Sequence, residues 1–122
     1  MNNTRNATKK VAYVAGPYRD SRGQWFVHQN IESARRVSAE LWARGYAVIC
    51  PHSNTAHFDG VCDDQSFLDG LIDIMLRCDL VVLAPNWQNS SGTHAEIDAA
   101  KQSGIPVFEW PDLEHAVWCE DE

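Results

Sequence analysis

Leu80-Val81-Val82-Leu83-Ala84-Pro85-Asn86-Trp87-Gln88-Asn89-Ser90-Ser91-Gly92-Thr93-His94-Ala95-Glu96 sets an unbroken apolar run against a turn and the opening of a helix. Five consecutive apolar residues closed by a proline read as a strand buried on both faces, the kind found inside parallel sheets. The helical stretch that follows covers residues 95–103, with Gly104 as its stop. On a 3.6-residue period Glu96 falls in line with Ala99, Ala100 and Ser103, a small-residue stripe suited to packing on a sheet. A carboxylate on that stripe has two readings. It is a reactive group held at a strand-to-helix junction, where α/β proteins keep their ligands. Or it closes a capping box with Thr93, since Thr93 and Glu96 have the S/T-x-x-E spacing.

The rest of the chain repeats the same unit. Val11-Ala12-Tyr13-Val14-Ala15, stopped by Gly16-Pro17, is strand one. Residues 30–44 form helix one, with Ile31, Ala34, Val37, Ser38 and Leu41 near one face, Asn30 as N-cap and Gly45 as C-terminal stop. Strand two spans 46–50 and is closed by Pro51; a polar loop covers 51–64. Helix two spans 66–77 with Leu68, Leu71, Ile72 and Met75 on one face, strand three is 80–84, and strand four is 105–110. Strict alternation with short connections requires right-handed crossovers. The expected fold is therefore a single flavodoxin-like or Rossmann-like α/β domain over 1–122, sheet order 2-1-3-4, helices on both faces, with 1–9 and 112–122 as flanking tails and residues 1–8 frayed. In that order the switch lies between strands one and three, so the loops after Ala15 and Ala84 flank the ligand crevice.

Composition narrows the function. A chain of 122 residues fits one domain. No apolar run is long enough to span a membrane and no signal peptide is recognised, so a soluble, cytoplasmic protein without membrane partners is expected. Cys50, Cys62, Cys78 and Cys119 form no C-x-x-C pair and read as reduced. A net charge of −7 argues against a nucleic-acid polymer as partner. Arg5, Lys9, Lys10, Arg19 and Arg22 nevertheless put positive charge near strand one, so a small anionic ligand remains compatible. The P-loop, the G-x-G-x-x-G fingerprint and the G-x-S-x-G elbow are all absent, and Pro85 stands where a receiver-type phospho-acceptor needs an aspartate. The spacing of His52 and His57 matches no zinc pattern, so neither metal nor cofactor is expected.

Val11-Ala12-Tyr13-Val14-Ala15-Gly16-Pro17-Tyr18, the helix before Cys78-Asp79-Leu80-Val81-Val82-Leu83, and Ser91-Gly92-Thr93-His94-Ala95-Glu96 together resemble the nucleoside 2-deoxyribosyltransferase superfamily, over about residues 10–109. Trp87 and the Ser90-Ser91-Gly92 segment are similar to its small phage and bacterial, DUF4406-like branch. The resemblance implies cleavage of a base–sugar bond by double displacement, with Glu96 as nucleophile. It implies Asp69 as acid/base, with Asp73 as competitor, and Tyr13 as the group that holds the nucleophile. Tyr13 reads equally as core packing, and both aspartates as a solvated helix face.

Transferases of the superfamily carry an aspartate two residues before the glycine; this chain has Ser90, as the nucleoside 5'-monophosphate N-glycosidases do. A carboxylate there repels phosphate, whereas the hydroxyls of Ser90 and Ser91 and the N–H groups of Gly92 and Thr93 accept it. The first loop, with Arg19 and Arg22, is loosely similar to the Arg- and Gly-rich loop of those hydrolases. Gly16, Tyr18, Arg19, Trp87, Ser90, Ser91, Gly92 and Thr93 are accordingly assigned to substrate binding, with Trp87 and Trp25 as stacking platforms or packing residues. The expected ligand is a small nucleotide or nucleoside, and relatives imply a homodimer or larger assembly. The leading expectation is a nucleotide N-glycosidase. Its rivals are a deoxyribosyltransferase and a binding protein that senses a nucleotide without turnover.

Overall fold

A computed structural model describes residues 9–54, 58 and 60–119. The first eight residues, His57 with part of the loop around it, and the last three residues lie outside the described set, so the frayed start expected over 1–8 and the zinc spacing to His57 are not addressed. Four parallel strands, β1 (Val11–Ala15), β2 (Ala47–Ile49), β3 (Leu80–Leu83) and β4 (Val107–Glu109), form one sheet in the order β2-β1-β3-β4. Between them run α1 (Gln24–Ala43), the single turn α2 (Pro51–Asn54), α3 (Asp64–Met75) and α4 (Ser91–Gln102). The α/β class and the strand order are those read from the sequence.

Side-chain alternation along the two central strands divides the core. Tyr13, Ala15, Val81 and Leu83 point to the face covered by α3 and α4, where they pack with Met75, Ile97 and Ala100. Ala12, Val14, Leu80, Val82 and Ala84 point to the other face and pack on Ala34, Val37 and Leu41 of α1. Both strands are buried on both sides, which is why their sequences are continuously apolar. The outer edge of β4 is covered at Val107, which bonds in antiparallel fashion to Val117 and Trp118.

The starts of three helices differ from the sequence reading, each for a local reason, and strands β2, β3 and β4 are shorter than read. Helix α1 begins at Gln24 rather than near Asn30, because the carbonyl of Gly23, at φ 128°, accepts from the N–H groups of Phe26 and Val27 without a side-chain cap. Asn30 is not a cap: its Nδ2 donates to the Tyr18 carbonyl at 3.2 Å and so ties the helix to the loop after β1. Helix α3 begins two residues earlier than expected because Asp63 caps it, accepting from the Ser66 N–H at 2.8 Å. Helix α4 begins at Ser91, not Ala95, because Ser90 is its N-cap, its Oγ accepting from the Thr93 N–H at 3.1 Å. Residues 51–54, expected as loop, form the turn α2.

The strand ends that flank the crevice are pressed together at Gly16. A Cβ built there would stand 2.9 Å from the Cβ of Ala84, closer than real side chains approach. Gly16→Ala is therefore expected to cost about 1–3 kcal/mol in urea denaturation through overpacking, and Ala84→Gly in the same chain to recover part of it; an additive loss in the double variant would refute the contact as the cause.

Candidate active site

A pocket of about 380 Å³ opens at the carboxyl ends of β1 and β3, on the α3/α4 face. Its size falls within the range of small-molecule sites. One wall is the start of α4, with Ser90, Ser91, Gly92, Thr93 and, one turn further, Glu96. The opposite wall is α3, with Asp64, Gln65, Phe67, Leu68 and Leu71. Gly16, Tyr18 and Arg19 from the loop after β1, and His52 from α2, complete it.

Glu96 is 6% exposed, and its Oε2 accepts a hydrogen bond from the Tyr13 hydroxyl at 2.5 Å. That bond decides between the two readings of Glu96. In a capping box it would turn back to the Thr93 N–H, but that N–H is held by Ser90 and the carboxylate reaches across to β1. The buried stripe of α4 is Thr93, Glu96, Ile97 and Ala100; Ala99 is half-buried and Ser103 exposed. Burial raises the Glu96 carboxyl from its ordinary 4.5 to about 6, against the hydrogen bond from Tyr13 and the nearby His52 ring, which both lower it. Burial and the adjacent Glu96 charge push the Tyr13 hydroxyl far above its ordinary value, so Tyr13 stays a donor throughout the neutral range.

The start of α4 carries hydrogen-bond donors. Ser90 Oγ accepts from both the N–H and the Oγ1 of Thr93, the latter at 3.0 Å, which leaves its own hydroxyl proton to donate outward. The N–H groups of Ser91 and Gly92 have no acceptor among the described residues and lie at the positive end of the helix dipole. Gly92 keeps this wall low, its missing side chain facing Leu68 and Ser90.

The other assigned residues fall into two groups. Arg19 borders the pocket and pairs with Asp64 at 3.1 Å, joining the loop after β1 to the start of α3; Tyr18 sets its ring edge against His52 at 5.4 Å. Asp69, Asp73, Trp87, Arg22 and Trp25 are off the pocket wall. Asp69 and Asp73 are exposed, and Asp69 accepts from Gln65 Nε2 at 2.8 Å, one side chain behind the wall. Trp87 packs against the α3/α4-side core and donates from Nε1 to Glu109 at 2.9 Å, so it is a strut rather than a platform. Arg22 is bound to Asp20 through two guanidinium bonds and lies 3.8 Å over the Phe26 ring.

Sequence reasoning passed over Phe67, Leu68 and Leu71, which supply an apolar wall, and His52. The leucines read as core from their helical spacing, which does not distinguish a face packed on a sheet from one that also borders a pocket. The signal for His52 was its place directly after Pro51 at a strand end. Among the described residues no group of three His, Cys, Asp or Glu is arranged to hold a metal, and no helix is long and apolar enough to cross a membrane.

The parallel 2-1-3-4 sheet and its covering helices give the chain a deoxyribosyltransferase-like α/β fold. The 2-deoxyribosyltransferase of Bacillus psychrosaccharolyticus superposes with a TM-score of 0.55 at 19% identity, over 80% of this chain and 69% of that enzyme. A conserved protein from Enterococcus faecalis V583 superposes with a TM-score of 0.54 at 23% identity, over 82% of this chain and 62% of its own. The chain thus spans less than two thirds of the E. faecalis protein. No curated protein matches the sequence. The family described as "Domain of unknown function (DUF4406)" matches residues 10–109, and the chain belongs to it.

Holding Glu96 ionised in this wall is a stability cost. Its folded pKa, about 6, lies above its ordinary 4.5, so the folded state binds the proton more tightly. The cost is absent below pH 4.5 and fully present above about pH 6, where it amounts to about 2 kcal/mol. Glu96→Gln is therefore expected to be more stable than the parent at pH 7.5, with the advantage shrinking to nothing as the pH falls through that window. A pH-independent difference would contradict the assignment.

Proposed function

We propose that this protein cleaves the base–sugar bond of a nucleoside 5'-monophosphate, with Glu96 as nucleophile. The observation that carries the reading is the Tyr13–Glu96 pair: a carboxylate buried in a pocket wall, held in one orientation by a hydroxyl that does not compete for its charge. Glu96 attacks the anomeric carbon; the carbon–nitrogen bond breaks with its electron pair leaving on the base, and a glycosyl ester forms. Water then attacks the same carbon, losing a proton to the group that protonated the base, which releases the sugar phosphate and returns the carboxylate.

The phosphate is assigned to the start of α4, where Ser90, Ser91 and Gly92 line the pocket and offer hydroxyl and N–H donors, with Arg19 also in the lining. Gly16 and Tyr18 border the sugar, and Phe67, Leu68 and Leu71 give the base an apolar surface. The proton for the departing base is assigned to Asp69, linked to the wall through Gln65. Chain association that covers the exposed indoles of Trp25 and Trp42 belongs to the same reading.

A transfer of deoxyribose between bases is the second reading, favoured by the fold match to the B. psychrosaccharolyticus enzyme. It differs in what accepts the glycosyl group: a second base rather than water. Ser90, in place of a carboxylate beside the helix start, favours a phosphorylated ligand and hence the hydrolase.

Purified protein incubated with ribo- and deoxyribonucleoside 5'-monophosphates is expected to release free base, followed by chromatography, and Glu96→Ala to release none. Exchange only when a second base is added would establish the transferase; binding without turnover of any kind would make the protein a nucleotide sensor. The acid limb of kcat/KM is expected near pH 6, the pKa of free-enzyme Glu96. Because the Tyr13 hydrogen bond lowers that pKa, Tyr13→Phe is expected to move the limb to higher pH. Asp69→Asn is expected to slow base release about 10²-fold; an unchanged rate would assign the proton to solvent.

A further inference from the structure

His52 is 5% exposed and lines the same pocket as Glu96. Its Nε2 lies 2.7 Å from the Pro17 carbonyl. A carbonyl only accepts, so Nε2 carries the proton, and in the neutral ring Nδ1 is a bare acceptor. Among the described residues that Nδ1 is the buried side-chain nitrogen or oxygen left without a partner. Native proteins rarely leave such a group unsatisfied, and a buried acceptor without a donor costs about 1–3 kcal/mol. The ring cannot turn to relieve it without giving up the Pro17 bond, and the edge of Tyr18 packs against it.

The surroundings say what kind of group is missing. The start of α4, on the β3 side of the pocket, offers donors and suits an anion; His52 follows β2, across β1 from it, and offers a lone pair. A phosphate dianion has no proton to give such a nitrogen. A sugar hydroxyl or a base N–H has one.

We infer that His52 is a ligand-binding residue whose Nδ1 accepts a hydrogen bond from an O–H or N–H on the part of the nucleotide remote from its phosphate. This rests on the nucleotide reading of the pocket and adds a selectivity to it: a ligand with no donor at that place leaves Nδ1 unpaired and binds less well. The Pro17 carbonyl acts as the positioning partner, fixing which ring nitrogen faces the ligand.

The test uses the full chain carrying Glu96→Gln, labelled with 15N-histidine, so that bound nucleotide is not consumed. Without ligand the Nδ1 resonance of His52 is expected at the position of a bare ring nitrogen, and on titration with ribo- and deoxyribonucleoside 5'-monophosphates to move toward that of a hydrogen-bonded one. Inorganic phosphate should leave it unmoved. Movement with ribose 5-phosphate as well assigns the donor to a sugar hydroxyl; movement with the nucleotides alone assigns it to the base. Added to the same Glu96→Gln chain, His52→Gln places an amide where Nε2 was, keeps a donor for Pro17 and lacks the Nδ1 acceptor. It is expected to keep the melting temperature and to bind nucleotide about five- to tenfold more weakly.

Nucleotide affinity unchanged in His52→Gln, a resonance unmoved by a bound nucleotide, or one already hydrogen-bonded in the free protein would each overturn the inference. Should His52→Gln fail to fold, the resonance decides alone. Base release by the parent protein is measured separately. A nucleotide that moves Nδ1 but is never cleaved defeats the glycosidase reading and keeps this one; cleavage with an unmoved Nδ1 does the reverse. Failure of every nucleotide to bind overturns both.

Discussion

The hydrogen bond from Tyr13 to Glu96 joins the central strand to the helix two crossovers later, and the rest of the pocket is arranged around its consequences. A carboxylate this buried is held against solvation, and one hydroxyl offsets only part of that loss. The donor must therefore be placed without slack, which β1 achieves because it is the one strand with partners on both sides and helices on both faces besides β3. Glu96 in turn must arrive from a helix that starts early enough to bring its second turn over β1. Ser90 sets that start. A single serine thus fixes the register of α4, the presentation of its free N–H groups and the direction of the carboxylate.

How much of this could be read from the chain alone depended on whether a residue's environment was local. Strands β1 and β3 were legible because burial on both faces leaves an unbroken apolar run, and the alternation of elements implied a parallel sheet without fixing its order. Glu96 was legible as a residue out of place on a small-residue stripe. Its partner was not decidable, since Thr93 offered a local bond and Tyr13 an equally plausible remote one; only the position of the cap at Ser90 excludes the first. The start of α1 was obscured because Gly23 begins it with backbone alone, and Asn30, which looks like a cap, is spent on the Tyr18 carbonyl. Trp87 and Arg22 have the chemistry of ligand contacts, and both are satisfied by neighbours that sequence spacing does not reveal, Glu109 for one and Asp20 for the other.

The pocket is asymmetric in its hydrogen-bonding character. Donors crowd the α4 wall, a lone pair stands at His52, and the α3 wall is largely apolar with polar residues at its rim. Such a distribution suits a ligand that is itself divided into an anionic end, a hydroxylated middle and a flat apolar part. The ion pair of Arg19 and Asp64 crosses from one rim to the other, both side chains largely in solvent, so it adds little to stability while linking the loop after β1 to the start of α3.

The division of the core has a bearing on how this chain can change over time. The sheet residues nearest the pocket, Ala15 in its wall and Tyr13 bonded to Glu96, belong to the face under α3 and α4, whereas the face beneath α1 meets the pocket through the contact of Ala84 with Gly16. Away from Ala84, substitutions under α1 are filtered by folding; those on the opposite face answer to folding and to the Tyr13–Glu96 pair together. Drift should accumulate on one side of a sheet barely two side chains thick, and attempts to harden the protein for practical use have a whole layer in which to work without disturbing the carboxylate.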